Sequence, residues 1–241
     1  MGVRISVITI NLNNLPGLKT TVESVINQDF PELEYLIIDG NSTDGSKGFI
    51  EENQDKFYHW ESEKDLGVYY AMNKGITKAT GDYIIFLNSG DWFSHPDSLT
   101  KLIANSQGED LVYGNLVIQE ANTTRIKKYP EKLNFRYFYF ESLPHPACLI
   151  AKPLFDRYGL YDTSLKIVAD WKFFLLVVTK HKCTYLYVDK VIANFNLEGI
   201  SSQKDHSKVQ VGERVSTLKK YFAGYFLLYS AYLKVLGKSF Y

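Results

Sequence analysis

The N-terminal part of the chain alternates short apolar runs with stretches in which apolar residues recur at helical spacing. The apolar runs predict four buried strands: Val3–Ile10, Leu33–Ile38, Phe57–Trp60 and Asp82–Leu87. The stretches between them predict a helix that begins near Pro16, a second that runs to about Asp55, and a third over Val68–Lys78. Strand and helix repeated three times and closed by a strand is typical of a parallel sheet with right-handed crossovers.

The second half of the chain is richer in aromatic residues, and its pattern is less regular. A short helix is predicted from Pro96 to about Asn105, followed by a hairpin made of Leu111–Gln119 and Thr123–Tyr129. The other predicted elements are an aromatic segment over Phe135–Glu141, a strand after His145, helices over Pro153–Tyr158 and Trp171–Thr179, strands Tyr185–Val188 and Val191–Asn196, a turn at Gly199–Ser202, and a long helix over Val209–Leu236.

Acidic residues follow the buried strands at the points where the pattern changes from strand to loop. Asp39 follows the second strand, Asp65 follows the third, and Asp91 closes an Asn-Ser-Gly-Asp turn after the fourth. Ligands of open α/β sheets bind at the carboxyl ends of the strands, so these carboxylates are expected to converge. Converging carboxylates repel one another unless a divalent cation or a hydroxyl-rich ligand joins them. The loop after the first strand lacks the G-x-G-x-x-G pattern of dinucleotide-binding proteins.

Composition excludes some partners and compartments. Lysine and arginine number 27 and aspartate and glutamate 27, so nothing in the net charge favours nucleic acid or another polyanion. Cys148 and Cys183 are isolated and lack metal-binding spacing, which suggests reduced thiols of a cytosolic protein. The first ten residues pass directly into a strand pattern, and no apolar run reaches the roughly 18 residues of a membrane span. We therefore expect a cytoplasmic protein.

An ordered set of motifs resembles glycosyltransferase family 2, the inverting nucleotide-sugar transferases with the GT-A fold. The set consists of Ile5–Asn11, Leu36–Gly45, Glu63–Gly75, Gly81–Asp91, His145–Pro146 and Ala169–Trp171. The residues of these motifs are most similar to those of the subgroup that builds bacterial capsule, exopolysaccharide or lipopolysaccharide chains. The resemblance implies a GT-A-like, Rossmann-like α/β domain over residues 1–205, with a mostly parallel central sheet flanked by helices. Residues 206–241 then form a C-terminal helical extension.

The resemblance also implies roles for the matching residues. The nucleotide-sugar donor is expected to contact Thr9, Asn11, Asp39, Asp65, Asn73 and Lys74. Asp91 matches the position that holds a divalent metal, Mg²⁺ or Mn²⁺, against the diphosphate of the donor. Asp170 matches the catalytic base, and His145 is a candidate contact for donor or acceptor. Five of these residues also have a purely structural interpretation: Asp39 and Asp91 as turn residues, Asp170 as a helix cap, His145 as a loop residue and Lys74 as a solvated charge on a helix.

Two positions depart from the family pattern. The metal motif reads Asn88-Ser-Gly-Asp91, with one acid where the family often has two. Ala169 stands before Asp170, where the family often has a second acid, so support for Asp170 must come from elsewhere. The Gln-x-x-Arg-Trp signature of processive synthases is absent near Asp170, which favours transfer of one sugar per binding event.

The functional prediction is an inverting, metal-dependent glycosyltransferase of hexosyltransferase type. It moves a sugar from a nucleotide donor, with UDP expected most often, to a glycan or polyprenyl-linked glycan in cell-surface polysaccharide biosynthesis. Two alternatives stay open. A nucleotidyltransferase also joins a nucleotide-binding sheet to metal carboxylates, but it usually carries a glycine-rich basic loop that Asn11–Gly17 lacks. A non-catalytic binding or scaffold protein would account for the acids missing at Asn88 and Ala169.

The C-terminal segment Tyr221–Tyr241 allows two interpretations. Its aromatic and aliphatic residues lie among lysines that include Lys219, Lys220, Lys234 and Lys238. Such a helix either packs on the core or on another subunit of a homo-oligomer, or it lies on the inner face of the cell membrane, where aromatics and lysines are favoured.

Overall fold

The computed structural model describes residues 2–120, 123–197 and 207–235. Its strands are β1 Ile5–Asn11, β2 Leu33–Asp39, β3 His59–Ser62, β4 Tyr83–Phe86, β5 Trp92–Phe93, β6 Leu111–Gln119, β7 Thr124–Lys127, β8 Cys148–Ala151 and β9 Tyr185–Asn196. Its α-helices are α1 Leu15–Ile26, α2 Ser46–Glu52, α3 Val68–Lys78, α4 Ser98–Ile103, α5 Phe135–Phe140, α6 Lys152–Tyr158, α7 Ala169–Leu175 and α8 Ser207–Val235. Short 3₁₀ turns cover Gln54–Lys56 and His145–Ala147, and a π-helical turn, Leu176–Lys180, continues α7.

The predicted parallel arrangement of the N-terminal strands is confirmed. The sheet runs in the order β3-β2-β1-β4-β8-β6-β9-β5, and β7 pairs with β6. The first four strands of this order are parallel to one another, with Asn11 opposite Asp39 at the carboxyl end of the β1–β2 pair. Every residue of β1 and β4 is buried, because helices cover both faces of this part of the sheet.

The other half of the sheet is mixed. Strand β8 is antiparallel to both β4 and β6, and β9 is parallel to β6 and antiparallel to β5. The predicted hairpin is confirmed as the antiparallel pair of β6 and β7. An α/β fold with a parallel half and a mixed half agrees with the predicted class.

The prediction of two separate strands at Tyr185–Val188 and Val191–Asn196 was wrong. One strand, β9, spans both, and its register against β6 shifts on either side of Asn115. The polar residues that suggested a break are accommodated at this irregularity, since Asn115 Nδ2 donates a 2.9 Å hydrogen bond to Asp189. The strand therefore continues through Asp189, and the register shift takes the place of a break.

Two N-terminal boundaries also differ from the prediction. Helix α2 ends at Glu52 instead of continuing to about Asp55, and the 3₁₀ turn follows it. The backbone N–H of Phe57 still belongs to this turn, where it donates to the Gln54 carbonyl oxygen at 3.2 Å. Strand β3 consequently begins at His59, two residues later than the apolar pattern indicated.

Helix α8 lies partly against the core and partly in solvent. Leu218 and Leu233 are buried, and the helix is kinked at Phe222. Its exposed apolar side chains are Val209 near its start and Tyr225, Leu227, Leu228 and Tyr232 beyond the kink. No helix within residues 2–120, 123–197 and 207–235 combines the length and hydropathy that a membrane crossing requires. The predicted turn at Gly199–Ser202, the boundary at 205/206, and residues 236–241 lie outside the described residues.

Gly75 allows α3 to approach the sheet closely. A Cβ atom built on Gly75 would lie 2.6 Å from Ile8 Cγ2 and 3.5 Å from Ile38 Cγ1. Both isoleucines are fully buried in central strands, so neither side chain has room to move away.

We predict that Gly75→Ala lowers the free energy of unfolding. The overpacking costs about 1–3 kcal/mol, which outweighs the gain of up to about 1 kcal/mol from removing a helical glycine. Gly48→Ala in α2 is the matched control, because nothing lies within 4 Å of the added atom. That variant is expected to be more stable than the parent by roughly 0.5–1 kcal/mol. Urea titrations measure both values, and equal stabilisation by the two variants would contradict this account of α3 packing.

Candidate active site

The parallel strands bring their carboxyl ends to one edge of the sheet, as predicted. There the Gly40 N–H donates to the Asn11 carbonyl oxygen at 2.9 Å, which joins the ends of β1 and β2. The Ser89 N–H donates to the Ile10 carbonyl oxygen at 3.1 Å, which attaches the loop after β4 to the same edge. The loops that carry Asp39 and Asp91 therefore leave the sheet side by side.

Asp39 is the centre of a buried hydrogen-bond cluster. Its carboxylate accepts bonds from Asn11 Nδ2 at 2.7 Å, from the Ser42 N–H at 2.9 Å, from Ser42 Oγ at 2.6 Å and from Ser62 Oγ at 2.6 Å. Four donors occupy the acceptor positions of the two carboxylate oxygens. In contrast, none of the described groups donates to Asn11 Oδ1, although this atom is buried. Asp39 thus orients Asn11, and the predicted donor contact of each residue stays a prediction.

Thr9 lies deeper in the sheet than the other predicted donor contacts. Its hydroxyl donates to the Leu87 carbonyl oxygen at 2.7 Å and lies 3.0 Å from the Tyr35 hydroxyl oxygen. The side chain has no exposed surface. Thr9 therefore connects β1 with the end of β4, and its role in a nucleotide pocket remains a prediction.

Lys74 and Asp65 form an ion pair beside this cluster. Lys74 Nζ lies 3.0 Å from Asp65 Oδ1, 3.1 Å from Glu61 Oε1 and 3.7 Å from Glu63 Oε2. Burial lowers the pKa of Lys74, but hydrogen bonds and charge attraction from Asp65 and Glu61 outweigh it and raise the pKa above its ordinary value. A Cβ atom on Gly40 would be 3.6 Å from Asp65 Oδ2, so Asp65 lies over the end of β2. Glu61 was not identified from the sequence.

Asp91 closes the tight turn after β4. Its N–H donates to the Asn88 carbonyl oxygen at 2.9 Å, and Gly90 supplies the positive φ of 101° that the turn needs. Burial raises the pKa of the Asp91 carboxyl to about 8, although the hydrogen bond from the Asn196 N–H partly opposes this shift. Asn88 Oδ1 is buried, and no described group donates to it.

The Asn88–Asp91 turn fits a hard divalent cation. It offers the carboxyl group of Asp91, which a bound cation would hold in its ionised form, and an unpartnered amide oxygen within one turn, and Mg²⁺ and Mn²⁺ prefer oxygen ligands. Among the described residues, no group of three or more His, Cys, Asp and Glu side chains is arranged to hold a metal. A cation at this turn would therefore take its other ligands from water and from a bound diphosphate.

Asp170 is partly buried in the first turn of α7. Its Oδ1 atom lies 2.8 Å from the hydroxyl of Tyr69, which is also 2.7 Å from the Ile167 carbonyl oxygen. Burial, followed by the charge of Asp170, raises the pKa of Tyr69 well above its ordinary value, so this hydroxyl keeps its proton. The sequence did not point to Tyr69, but its spacing of four residues from Asn73 on α3 was a usable signal.

His145 and Asn73 meet at Tyr161, close to Asp170. His145 Nε2 lies 2.8 Å from the Tyr161 hydroxyl, and the imidazole packs on Phe86 with ring centres 4.7 Å apart. Burial lowers the pKa of His145, although the Asp170 charge raises it, so the ring is neutral at neutral pH. Asn73 donates to the Tyr161 carbonyl oxygen at 2.9 Å and accepts from its N–H at 3.0 Å. The structure thus uses Asn73 to hold the Tyr161 loop, and its predicted donor contact is untested.

Known glycosyltransferases are similar to this chain in sequence. The family model described as glycosyl transferase family 2 matches residues 6–155. An uncharacterized glycosyltransferase of Mycobacterium tuberculosis is 33% identical over 211 residues, which cover 85% of this chain and 79% of that protein. A PGL/p-HBAD biosynthesis glycosyltransferase of Mycobacterium bovis is 27% identical over 198 residues, with 79% and 76% of the two chains covered.

Solved structures show the same fold. Residues 1–349 of S. aureus TarS, in complex with UDP-GlcNAc, match with a TM-score of 0.66 and 18% identity, covering 90% of this chain and 66% of that one. A mannosyltransferase from Pyrobaculum calidifontis, in complex with GDP-Man and Mn²⁺, matches with a TM-score of 0.63 and 17% identity, covering 90% and 64%. The predicted GT-A-like architecture is thereby confirmed. The family match spans more than half of the sequence, and the chain belongs to glycosyltransferase family 2.

Proposed function

We propose that this glycosyltransferase moves one sugar from a nucleoside-diphosphate sugar to a hydroxyl group of a glycan or lipid-linked glycan, with inversion at the anomeric carbon. The observation that carries the proposal is the pair of separate acidic sites beyond the sheet. Asp91 and Asn88 Oδ1 offer oxygen ligands after β4, and Asp170 presents a partly buried carboxylate at the start of α7. The first suits the diphosphate with its cation, and the second suits the attacking hydroxyl.

The nucleoside is assigned to the ends of β1 and β2. Asn11 Oδ1 lacks a partner among the described groups, and the bond to Asp39 holds the amide in one orientation. Such an oxygen can accept a hydrogen bond from a nucleobase N–H or a ribose hydroxyl. Asp65, partly exposed beside Gly40, would be the second contact. The proposed nucleotide is UDP, the nucleotide of the UDP-GlcNAc bound in the TarS complex. The Pyrobaculum mannosyltransferase, in contrast, is in complex with GDP-Man.

Asn88 and Asp91 would hold the divalent cation. When bound, the cation neutralises the diphosphate charge that grows as the sugar–phosphate bond breaks. Through the cation the two residues would hold the diphosphate near the end of β4, and the buried surroundings of Asp91 strengthen the attraction of its ionised form to positive charge.

Asp170 is proposed to act as the base. The oxygen of the acceptor hydroxyl forms the new bond to the anomeric carbon as the bond from that carbon to the diphosphate oxygen breaks. The electron pair of the broken bond leaves with the nucleoside diphosphate, and the hydroxyl proton passes to the Asp170 carboxylate. Attack on the face opposite the leaving group accounts for inversion. His145 is neutral and lies next to Tyr161, close to Asp170. We assign it no role in the proton transfer.

Helix α8 is proposed to bring the enzyme to the membrane surface. No acidic residue occurs between Lys219 and Tyr241, so the lysines of this segment give it a net positive charge. The same segment contains the exposed side chains of Tyr225, Leu227, Leu228 and Tyr232. Positive charge next to exposed apolar and aromatic groups favours an anionic lipid surface. The relative named for PGL/p-HBAD biosynthesis supports an acceptor that belongs to a cell-surface glycan.

Nucleotide binding is expected to require a cation held by Asp91. Calorimetric titration of UDP, GDP and dTDP, each with Mn²⁺ and with EDTA, should show that one nucleotide binds at least tenfold more tightly with Mn²⁺. Asp91→Asn should remove most of this difference, because a neutral amide is a weaker ligand than a carboxylate. Asp55→Asn, in an exposed turn, is the control. Equal affinity with Mn²⁺ and EDTA in the parent protein would contradict the metal assignment.

Turnover is expected to depend on Asp170. Asp170→Asn should lower kcat by about 10²–10⁴-fold, the usual contribution of a general base, without weakening nucleotide binding. Release of the nucleoside diphosphate from UDP-GlcNAc and GDP-Man measures the rate, with extracted membrane lipids or water as acceptor. Asp156→Asn, on the exposed face of α6, is the control. An unchanged kcat for Asp170→Asn would refute the base, and release of pyrophosphate from a nucleoside triphosphate would indicate a nucleotidyltransferase instead.

Binding to vesicles is expected to depend on the exposed face of α8. The protein should sediment at low salt with vesicles that contain phosphatidylglycerol and remain in the supernatant with pure phosphatidylcholine. Leu227→Ser with Leu228→Ser should weaken the binding several-fold, because these leucines are 68% and 70% exposed. Leu12→Ser is the control, since Leu12 is 61% exposed in the loop after β1. Absence of sedimentation would contradict the membrane assignment, and a dimer in light scattering that is lost in the Leu227→Ser, Leu228→Ser variant would show that α8 contacts a second copy.

A further inference from the structure

Asp170, the proposed base, lacks the acidic residue that often precedes it in this family. Ala169 occupies that position. Its methyl side chain is buried and offers no polar group to Asp170. We infer that Tyr69 of α3 and Glu213 of α8 position Asp170 in its place. This inference rests on the proposed role of Asp170 as the base, and it adds two residues that lie far from Asp170 in the sequence.

Tyr69 contacts the carboxylate directly. Its hydroxyl lies 2.8 Å from Asp170 Oδ1 and comes from a helix 101 residues earlier in the chain. The side chain is 5% exposed and packs on Tyr161 with ring centres 5.7 Å apart, so its orientation is fixed by packing. A hydrogen bond donated to an ionised carboxylate is stronger than one between neutral groups. Tyr69 therefore limits the rotation of the Asp170 side chain.

The same hydroxyl suits both protonation states of Asp170. It has one proton and two acceptors within reach, Asp170 Oδ1 at 2.8 Å and the Ile167 carbonyl oxygen at 2.7 Å. While Asp170 is ionised, the proton of Tyr69 can be donated to the carboxylate. After Asp170 has taken the proton of the acceptor, the carboxylic acid can donate to the Tyr69 oxygen, and Tyr69 donates to Ile167. The contact thus persists through the proton transfer, and Tyr69 keeps its own proton.

Glu213 holds the backbone that leads into α7. Its carboxylate accepts from the N–H groups of Lys166 at 2.6 Å, Ile167 at 3.0 Å and Val168 at 3.3 Å. These are the three residues before Ala169, where α7 begins. Ile167 is consequently bound on both sides, with its N–H at Glu213 and its carbonyl oxygen at Tyr69. Charge-assisted bonds to three consecutive N–H groups fix the backbone that carries Asp170.

Arg214 keeps Glu213 in this position. The guanidinium lies 4.9 Å from the centre of the Trp171 ring, and Nη1 donates to the Phe140 carbonyl oxygen at 3.2 Å. Trp171 is fully buried and donates through Nε1 to the Phe138 carbonyl oxygen at 2.8 Å. The first turns of α8 are thereby attached to the residue that follows Asp170. The C-terminal helix is, on this account, part of the active-site framework.

The direct contact is tested by a double-mutant cycle. Tyr69→Phe should lower kcat about tenfold, the effect expected of a hydrogen bond to a charged group, while the affinity for the nucleotide stays unchanged. In the Asp170→Asn background the same change should cost nothing further, because Tyr69 acts through Asp170. Tyr70→Phe, the adjacent and partly exposed tyrosine, is the matched control. Melting temperatures of all variants check that a loss of rate is not a loss of fold.

The backbone contact is tested without an assay of turnover. Glu213→Ala should increase the hydrogen-exchange rates of the amides of residues 166–168 at least tenfold, as measured by mass spectrometry or NMR. Lys208→Ala, which changes an exposed side chain of the same helix, should leave these rates unchanged. Glu213→Ala should also lower kcat without raising the KM of the donor. Unchanged exchange at residues 166–168 would overturn the role of Glu213.

The results distinguish this inference from the proposed function. If Asp170→Asn lowers kcat but Tyr69→Phe behaves like Tyr70→Phe, the base assignment stands and the positioning role of Tyr69 is wrong. If the losses from Tyr69→Phe and Asp170→Asn are additive, Tyr69 does not act through Asp170. If Asp170→Asn turns over like the parent protein, both the base assignment and the positioning inference are refuted.

Discussion

The candidate site is built on the parallel alignment of β1, β2, β3 and β4. This alignment forces four carboxyl-terminal strand ends onto one edge, and each end carries a polar loop. The cluster around Asp39, the turn that ends at Asp91 and the ion pair of Asp65 with Lys74 all lie there. Helices on both faces bury the strands, so these polar groups project only beyond the edge of the sheet.

Helix α3 connects the separate parts of this edge. Through Lys74 it contacts Asp65, through Asn73 it holds the backbone of Tyr161, and through Tyr69 it reaches Asp170. Its position relative to the sheet follows from Gly75, which allows contact with Ile8. A small displacement of α3 would therefore alter the surroundings of both Asp65, a proposed nucleoside contact, and Asp170, the proposed base, since the three side chains share one rigid element.

The buried polar groups divide into two kinds. The Asp39 carboxylate is saturated by donors from the protein, which makes it an organising group for the neighbouring side chains. The oxygens Asn11 Oδ1 and Asn88 Oδ1 are buried without a partner among the described groups, which is costly unless a ligand or cation supplies one. This difference supports nucleoside recognition near Asn11 and cation binding near Asn88, and it separates residues that hold the site from residues that are open to a ligand.

Local patterns were enough to predict the parallel half of the sheet and the positions of Asp39, Asp65 and Asp91 at its strand ends, because apolar periodicity and loop composition are local properties. The sequence motifs also identified the family. The tertiary structure alone decided that β9 is one strand, that Lys74 pairs with Asp65 and Glu61, and that Asn73 holds Tyr161. It also revealed Tyr69 and Glu213 beside the segment of Asp170, across separations of 101 and 46 residues. Such contacts depend on how distant elements pack, and no local pattern of hydrophobic and polar residues records that packing.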